Sequence, residues 1–157
     1  MSHQILSILV IDDEEEIRNT LSEILSDEGY MVETAKNGKD ALKNSKKTPF
    51  DLALVDIKLP DIEGTDLLIK LREAQPKMAA LIVTGKPSLD NAIKSVNNGA
   101  DGYILKPFDV PTLIETIKKT LEDRRNIYFQ MYKEVEKGKT NNPVFMYKSP
   151  ENWGQNR

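Results

Sequence analysis

Five short apolar runs, each followed by a stretch with helical spacing, constrain this chain more than any other feature. The first, Ile5 to Ile11, is interrupted once at Ser7 and leads into Asp12-Asp13-Glu14-Glu15-Glu16. Ile17, Leu21, Ile24 and Leu25 then recur on one helix face, with acids in the first turn where they complement the helix dipole and Gly29 as terminator. Tyr30 to Ala35 reads as a second strand, Asn37-Gly38 as a turn, and Ala41 and Leu42 as the inner face of a short helix ending before Pro49. Leu52 to Val55 is a third, fully apolar run, and Leu67, Leu68 and Leu71 mark a helix that stops before Pro76. Ala79 to Val83 and Gly102 to Leu105 complete the strands. Between them lies a helix capped by Ser88, with Ala92, Ile93 and Val96 as its apolar positions and Asn98-Gly99 as its end. A last helix starts at Asp109, with Pro111 tolerated in its first turn.

Buried strands alternating with helices of about 10–15 residues predict a parallel sheet covered on both faces. The expected class is α/β, a doubly wound sheet of five parallel strands with five helices. In such a sheet the loops after strands one, three, four and five gather at the carboxyl edge, where open α/β sheets bind their ligands.

The residues at those strand ends are Asp12 and Asp13, then Asp56, Thr84 and Lys106. Each has an ordinary reading alone: the acids as a helix start, Asp56, Thr84-Gly85 and Lys106-Pro107 as turns. Their joint placement at successive strand ends points to a site. Three converging carboxylates repel one another, so a hard divalent cation such as Mg²⁺ is the natural occupant, and magnesium takes phosphate oxygens as further ligands. The Lys106 amine and the Thr84 hydroxyl would offset charge on the oxygens of a transferring phosphoryl group. Asp56, ending the central apolar run, is then the carboxylate placed to attack.

Composition removes the competing chemistries. The chain has no cysteine and a single histidine, His3, which leaves carboxylates, hydroxyls and lysines for any reaction. Its formal net charge is -3 with no long basic block, so direct nucleic-acid binding has little electrostatic support. No basic flank precedes a long apolar core at the start and no run is long enough to span a membrane, from which a cytoplasmic location is expected. At 157 residues the chain accommodates one good core and an appendage.

Taken together, Ile11-Asp12-Asp13-Glu14, Asp56 followed by Leu59-Pro60 and Gly64, the Thr84-Gly85 pair, and Gly99-Ala100-Asp101 leading to Lys106-Pro107-Phe108 resemble the receiver domain of two-component response regulators. The resemblance covers roughly residues 4 to 122 and is strongest to receivers of the nitrogen-regulatory type. It implies the flavodoxin-like fold of the CheY type, a two-component phosphorelay, and a phosphoryl group accepted by Asp56 from a sensor histidine kinase, a phosphotransfer protein or a small phosphodonor. It also implies that Asp13, Asp56 and the main-chain carbonyl of Lys58 hold Mg²⁺ with Asp12 assisting, that Lys106 contacts the phosphoryl, and that the Lys106-Pro107 bond is cis. Thr84 and Tyr103 would form the switch, repacking the fourth helix, fifth strand and fifth helix where a partner senses phosphorylation. Lys58 and Lys86, each two residues past a site residue, are expected to alter the lifetime of the aspartyl phosphate. The only chemistry implied is self-phosphorylation and self-dephosphorylation at Asp56.

Residues 1–122 are thus expected to form the receiver and 123–157 a helical extension with a polar tail. Ile114, Ile117, Leu121, Tyr128, Met131 and Val135 continue a seven-residue spacing, broken by Arg124. Such a helix could project beyond the sheet and pair with a second copy in a homodimer, or serve as a linker. The tail carries Val144 to Tyr147 and Trp153, and has no room for a DNA-binding domain with its own core. Three other readings stay open. A magnesium-dependent phosphohydrolase of the haloacid dehalogenase kind would want Asp-x-Asp after its first strand, which Asp12-Asp13 lacks. A flavodoxin-like electron carrier would want a hydroxyl- and glycine-rich first loop, and a receiver used for interaction alone would not need the full set of site residues.

Overall fold

Successive side chains of a strand point to opposite faces, so an apolar run makes sense only where both faces are covered. The computed structural model, which describes residues 4–137, shows this arrangement. Its elements are β1 (Ser7–Ile11), α1 (Glu15–Asp27), β2 (Met31–Ala35), α2 (Gly38–Lys47), β3 (Leu52–Val55), α3 (Gly64–Ala74), β4 (Ala79–Thr84), α4 (Leu89–Asn97), β5 (Gly102–Leu105) and α5 (Val110–Glu136). The strands form one parallel sheet in the order β2-β1-β3-β4-β5.

On one face Leu9, Ile11, Ala53, Val55, Ala80 and Ile82 pack with Leu67, Leu68 and Leu71 of α3 and Ala41 of α2. On the other, Ile8, Val10, Leu52, Leu54, Leu81 and Val83 pack with Leu21 and Leu25 of α1 and Leu113 and Ile117 of α5. Every residue of β3 is buried, and burying each of its larger side chains contributes about 1.5–3 kcal/mol. Ser88 and Asp109 cap the starts of α4 and α5 as the sequence suggests, accepting from the N–H groups of Asn91 and Thr112, and Asn37, expected only as a turn, caps α2 by accepting from the Asp40 N–H.

Two elements depart from expectation. In α4, Ile93 and Val96 are exposed, together with Leu89; the inner face is made by Ala92 and the buried Ser95 instead. Small residues let this helix lie close to the sheet edge, and its larger apolar side chains are left facing outward. In α5 the seven-residue seam does not project. Arg124 and Met131 are buried, and the Tyr128 hydroxyl donates to the Pro76 carbonyl at 3.1 Å, so the seam is turned onto its own domain. The helix runs unbroken past residue 122, whereas Val144 to Tyr147, Trp153 and His3 lie outside the described residues.

Gly64, which opens α3, lies against the main chain that carries Asp56. A Cβ there would sit 2.0 Å from the Asp56 carbonyl oxygen and 2.8 Å from its carbon, neither of which can move without distorting β3. Gly64→Ala is therefore expected to lose about 2–4 kcal/mol of stability, read as a lower urea midpoint at unchanged slope. An unchanged midpoint would show that α3 can shift off the strand end.

Candidate functional site

Register brings the strand ends together. Ile11 pairs with Val55, and the Asp56 N–H donates to the Ile11 carbonyl at 3.0 Å, so Asp12 and Asp56 leave adjacent strands side by side. On the far side β4 ends at Thr84, whose carbonyl accepts from the Lys106 N–H at 2.8 Å. The Lys106-Pro107 peptide is cis.

The carboxylates of Asp12, Asp13 and Asp56 have oxygens within 4.8 Å of one another; Asp12 and Asp56 are buried and Asp13 is exposed. Two unit charges at that separation repel by about 3 kcal/mol at the effective dielectric of a partly buried site. One amine answers them: Lys106 Nζ lies 2.6 Å from Asp12 Oδ2 and 3.5 Å from Asp56 Oδ2. Three carboxylates and one ammonium leave an excess of negative charge, and hard oxygen donors in this number suit a divalent cation of the magnesium or calcium type.

Burial first, and crowding second, shift the titration of Asp56 and Lys106. Burial raises the Asp56 pKa and the neighbouring Asp12 raises it further; the charge and hydrogen bond of Lys106 and the Lys58 main-chain N–H pull it back without cancelling the rise. For Lys106, burial pushes the amine down, but Asp12 and then Asp56 outweigh it and the net movement is upward. Lys106 therefore stays charged.

Thr84 is buried, and its Oγ1 accepts from the Lys86 N–H at 3.1 Å. Tyr103, one strand over, packs against the α2/α3-side core, and its buried hydroxyl has no hydrogen-bond partner among the described residues. An unpaired buried hydroxyl costs about 1–3 kcal/mol, so this ring position is one its surroundings must hold. Lys58 and Lys86 are both exposed at the rim.

Sequence reasoning passed over residues that position the site. Asp61 accepts from the N–H groups of Gly38 and Lys39, both at 2.9 Å, tying the loop after Asp56 to the start of α2; the Gly38 bond, foremost among several, lowers its pKa. Arg18 donates to the Asp12 carbonyl at 2.8 Å. An Asp three residues before Gly64 looks like any other loop acid, and only the folded loop shows which N–H groups it meets.

The class of domain here is an open parallel α/β sheet with an acid cluster that could hold a metal ion, and a lysine beside it, at the carboxyl edge. Residues 8–118 match the response regulator receiver domain, and the chain belongs to that family of two-component signalling proteins. A CheY-like response regulator receiver domain protein from Methanospirillum hungatei JF-1 is 42% identical, with a TM-score of 0.76 over 78% of this chain and 98% of that one. The beryllofluoride-activated NtrC4 receiver domain dimer is 36% identical, with a TM-score of 0.72 over 75% of this chain and 98% of that one. The transcriptional regulatory protein PcoR of Escherichia coli is 32% identical over 119 residues, which are 76% of this chain and 53% of PcoR. The chain spans between about a quarter and a half of the length of the curated relatives it matches. None of these matches supports the haloacid dehalogenase reading.

Because the folded-state pKa of Asp56 is raised, the contribution of this group to stability is fully present below its ordinary value of 3.8 and lost as pH rises through the folded value. Without divalent metal, Asp56→Asn is expected to raise the unfolding midpoint at neutral pH by about 2–4 °C. The gain should fade as pH falls toward 3.8. Thermal scans in a chelator across this range check it; a variant less stable than the parent at neutral pH would contradict the carboxylate crowding.

Proposed function

We propose that this chain is a phosphoacceptor switch, in which Asp56 takes a phosphoryl group from the phosphohistidine of a sensor histidine kinase or phosphotransfer protein, or from a small phosphodonor. The observation that carries this is the placement of a buried carboxylate at the end of the central strand, crowded by Asp12 and Asp13 and faced by Lys106. Asp13, Asp56 and the Lys58 main-chain carbonyl would hold Mg²⁺ with Asp12 assisting, and the bound ion supplies charge neutralisation at the phosphoryl oxygens. Lys106 offsets further charge, and the Thr84 hydroxyl turns toward the phosphoryl as Tyr103 fills the space it leaves. The chain turns over only its own phosphoryl group.

The output face is α4, β5 and α5. Leu89, Ile93 and Val96 on α4, with Leu105 and Val110 nearby in the chain, are exposed apolar residues on these elements and suit a protein partner, a second copy included. The formal net charge of -3 favours protein over nucleic acid as that partner. Among the described residues no helix is long and apolar enough to cross a membrane; membership of the receiver family is what supports the cytoplasmic location expected from the sequence. The receiver comprises residues 1–122, and 123–157 form its extension.

Incubation with Mg²⁺ and acetyl phosphate should add one phosphoryl mass that Asp56→Asn abolishes, and light scattering of the beryllofluoride-treated sample distinguishes self-pairing from a monomer awaiting another partner. No adduct, or an adduct retained in Asp56→Asn, would end the phosphoacceptor assignment. Lys58 and Lys86 border the phosphoryl, and charge at an exposed site is worth up to about 1 kcal/mol. Lys58→Ala and Lys86→Ala are accordingly expected to change adduct decay by about two- to fivefold. Parental decay in both variants would remove these lysines from the account.

A further inference from the structure

At the edge of the sheet opposite the acid cluster, two arginines share one carboxylate. Asp101, immediately before β5, accepts at Oδ2 from the Ala80 N–H at 2.8 Å and from Arg72 Nη2 at 2.9 Å, and forms an ion pair with Arg124 Nη2 at 3.3 Å. Arg124 also donates to the Met78 carbonyl at 2.8 Å, a carbonyl that Arg72 Nη1 contacts as well. Arg72 is held independently by the Gly99 carbonyl, and a Cβ on Gly99, whose φ is +101°, would come within 3.1 Å of Arg72 Nε. Below this cluster the end of α5 makes further contacts: Tyr128 to the Pro76 carbonyl, and Tyr132 to Lys77 Nζ at 3.5 Å.

We propose that residues 123–136 form a releasable arm, latched by Arg124 onto the Arg72–Asp101 pair, and that filling the phosphoryl site loosens this latch through β5. The coupling, though not the latch, rests on the phosphoacceptor reading. A guanidinium stays charged in proteins, and the Arg124 side chain is only 5% exposed, so Arg124 is either in its clasp or out in water with the arm. That makes docking a two-state event. Departure of Arg124 leaves no orphan in the domain, because Arg72 and the Ala80 N–H keep Asp101 paired. The link to the site is covalent: Asp101 and Lys106 flank β5, roughly 16 Å apart along an extended strand that is hydrogen-bonded only to β4. Lys106 is drawn onto Asp12 at 2.6 Å and lies 3.5 Å from Asp56. New negative charge on Asp56 pulls the amine toward it and β5 with it, away from the clasp, where the 3.3 Å contact of Asp101 to Arg124 is longer than those to Arg72 and the Ala80 N–H and is the first lost.

Linkage makes the effect reciprocal. Hydrogen–deuterium exchange on the full chain should show amides of 125–136 protected in buffer, exposed on saturation with Mg²⁺ and beryllofluoride, and exposed already in Arg124→Met. Arg124→Met should bind beryllofluoride at least about fivefold more tightly than the parent, Arg124→Lys should restore part of the difference, and Tyr128→Phe should move both readouts the same way by less. An arm equally protected in the parent and Arg124→Met overturns the latch. An exposed arm with unchanged beryllofluoride affinity overturns the coupling, as does an arm still protected in the saturated parent. A parent that binds no beryllofluoride removes the coupling together with the phosphoacceptor reading, while the buffer comparison still decides the latch; if Arg124→Met fails to fold, Tyr128→Phe supplies both measurements.

Discussion

Repulsion among Asp12, Asp13 and Asp56 is the interaction on which the rest of the structure bears. Carboxylates within 4.8 Å of one another would spread apart if their backbones could yield. The strand ends that carry Asp12 and Asp56 cannot part, because β1 and β3 are paired residue by residue and β3 is buried on both faces. The sheet converts hydrophobic burial into electrostatic crowding. Lys106 relieves part of that crowding at the cost of being desolvated itself, and the outcome is an acid cluster with an excess of negative charge that could hold a metal ion.

The surroundings of Asp56 serve the same constraint from behind. Gly64 lets α3 start against the Asp56 carbonyl, and Asp61 holds the intervening loop to the first turn of α2. Neither contact touches the carboxylate. Both limit how far the strand end can move. β5 has one strand neighbour while β3 has two, so the sheet holds β5 from one side only.

Patterns that local chemistry dictates were readable in advance: the five strands, the caps at Ser88 and Asp109, and the order of charged groups at the strand ends. Patterns that depend on what a helix meets were not. Ile93 and Val96 recur at helical spacing whether they face a core or a partner, and periodicity cannot say which side is inward when the other side is made of alanine and serine. Arg124 looked like an interruption of an apolar seam because nothing nearby in sequence shows that the Met78 carbonyl and Asp101 wait for it across the fold.

By itself, then, the chain's order of residues determined the alternation of strands and helices and the kinds of chemical group offered at one edge, since both follow from side-chain period and strand direction. Tertiary structure alone decided how close Asp12, Asp13, Asp56 and Lys106 come, which face α4 turns outward, and that α5 folds back onto Pro76 and Asp101. The physical reason is range. Hydrophobic period is local and additive along the backbone, whereas charge crowding and a shared carboxylate arise between groups up to 94 positions apart, whose separation only the closed sheet sets.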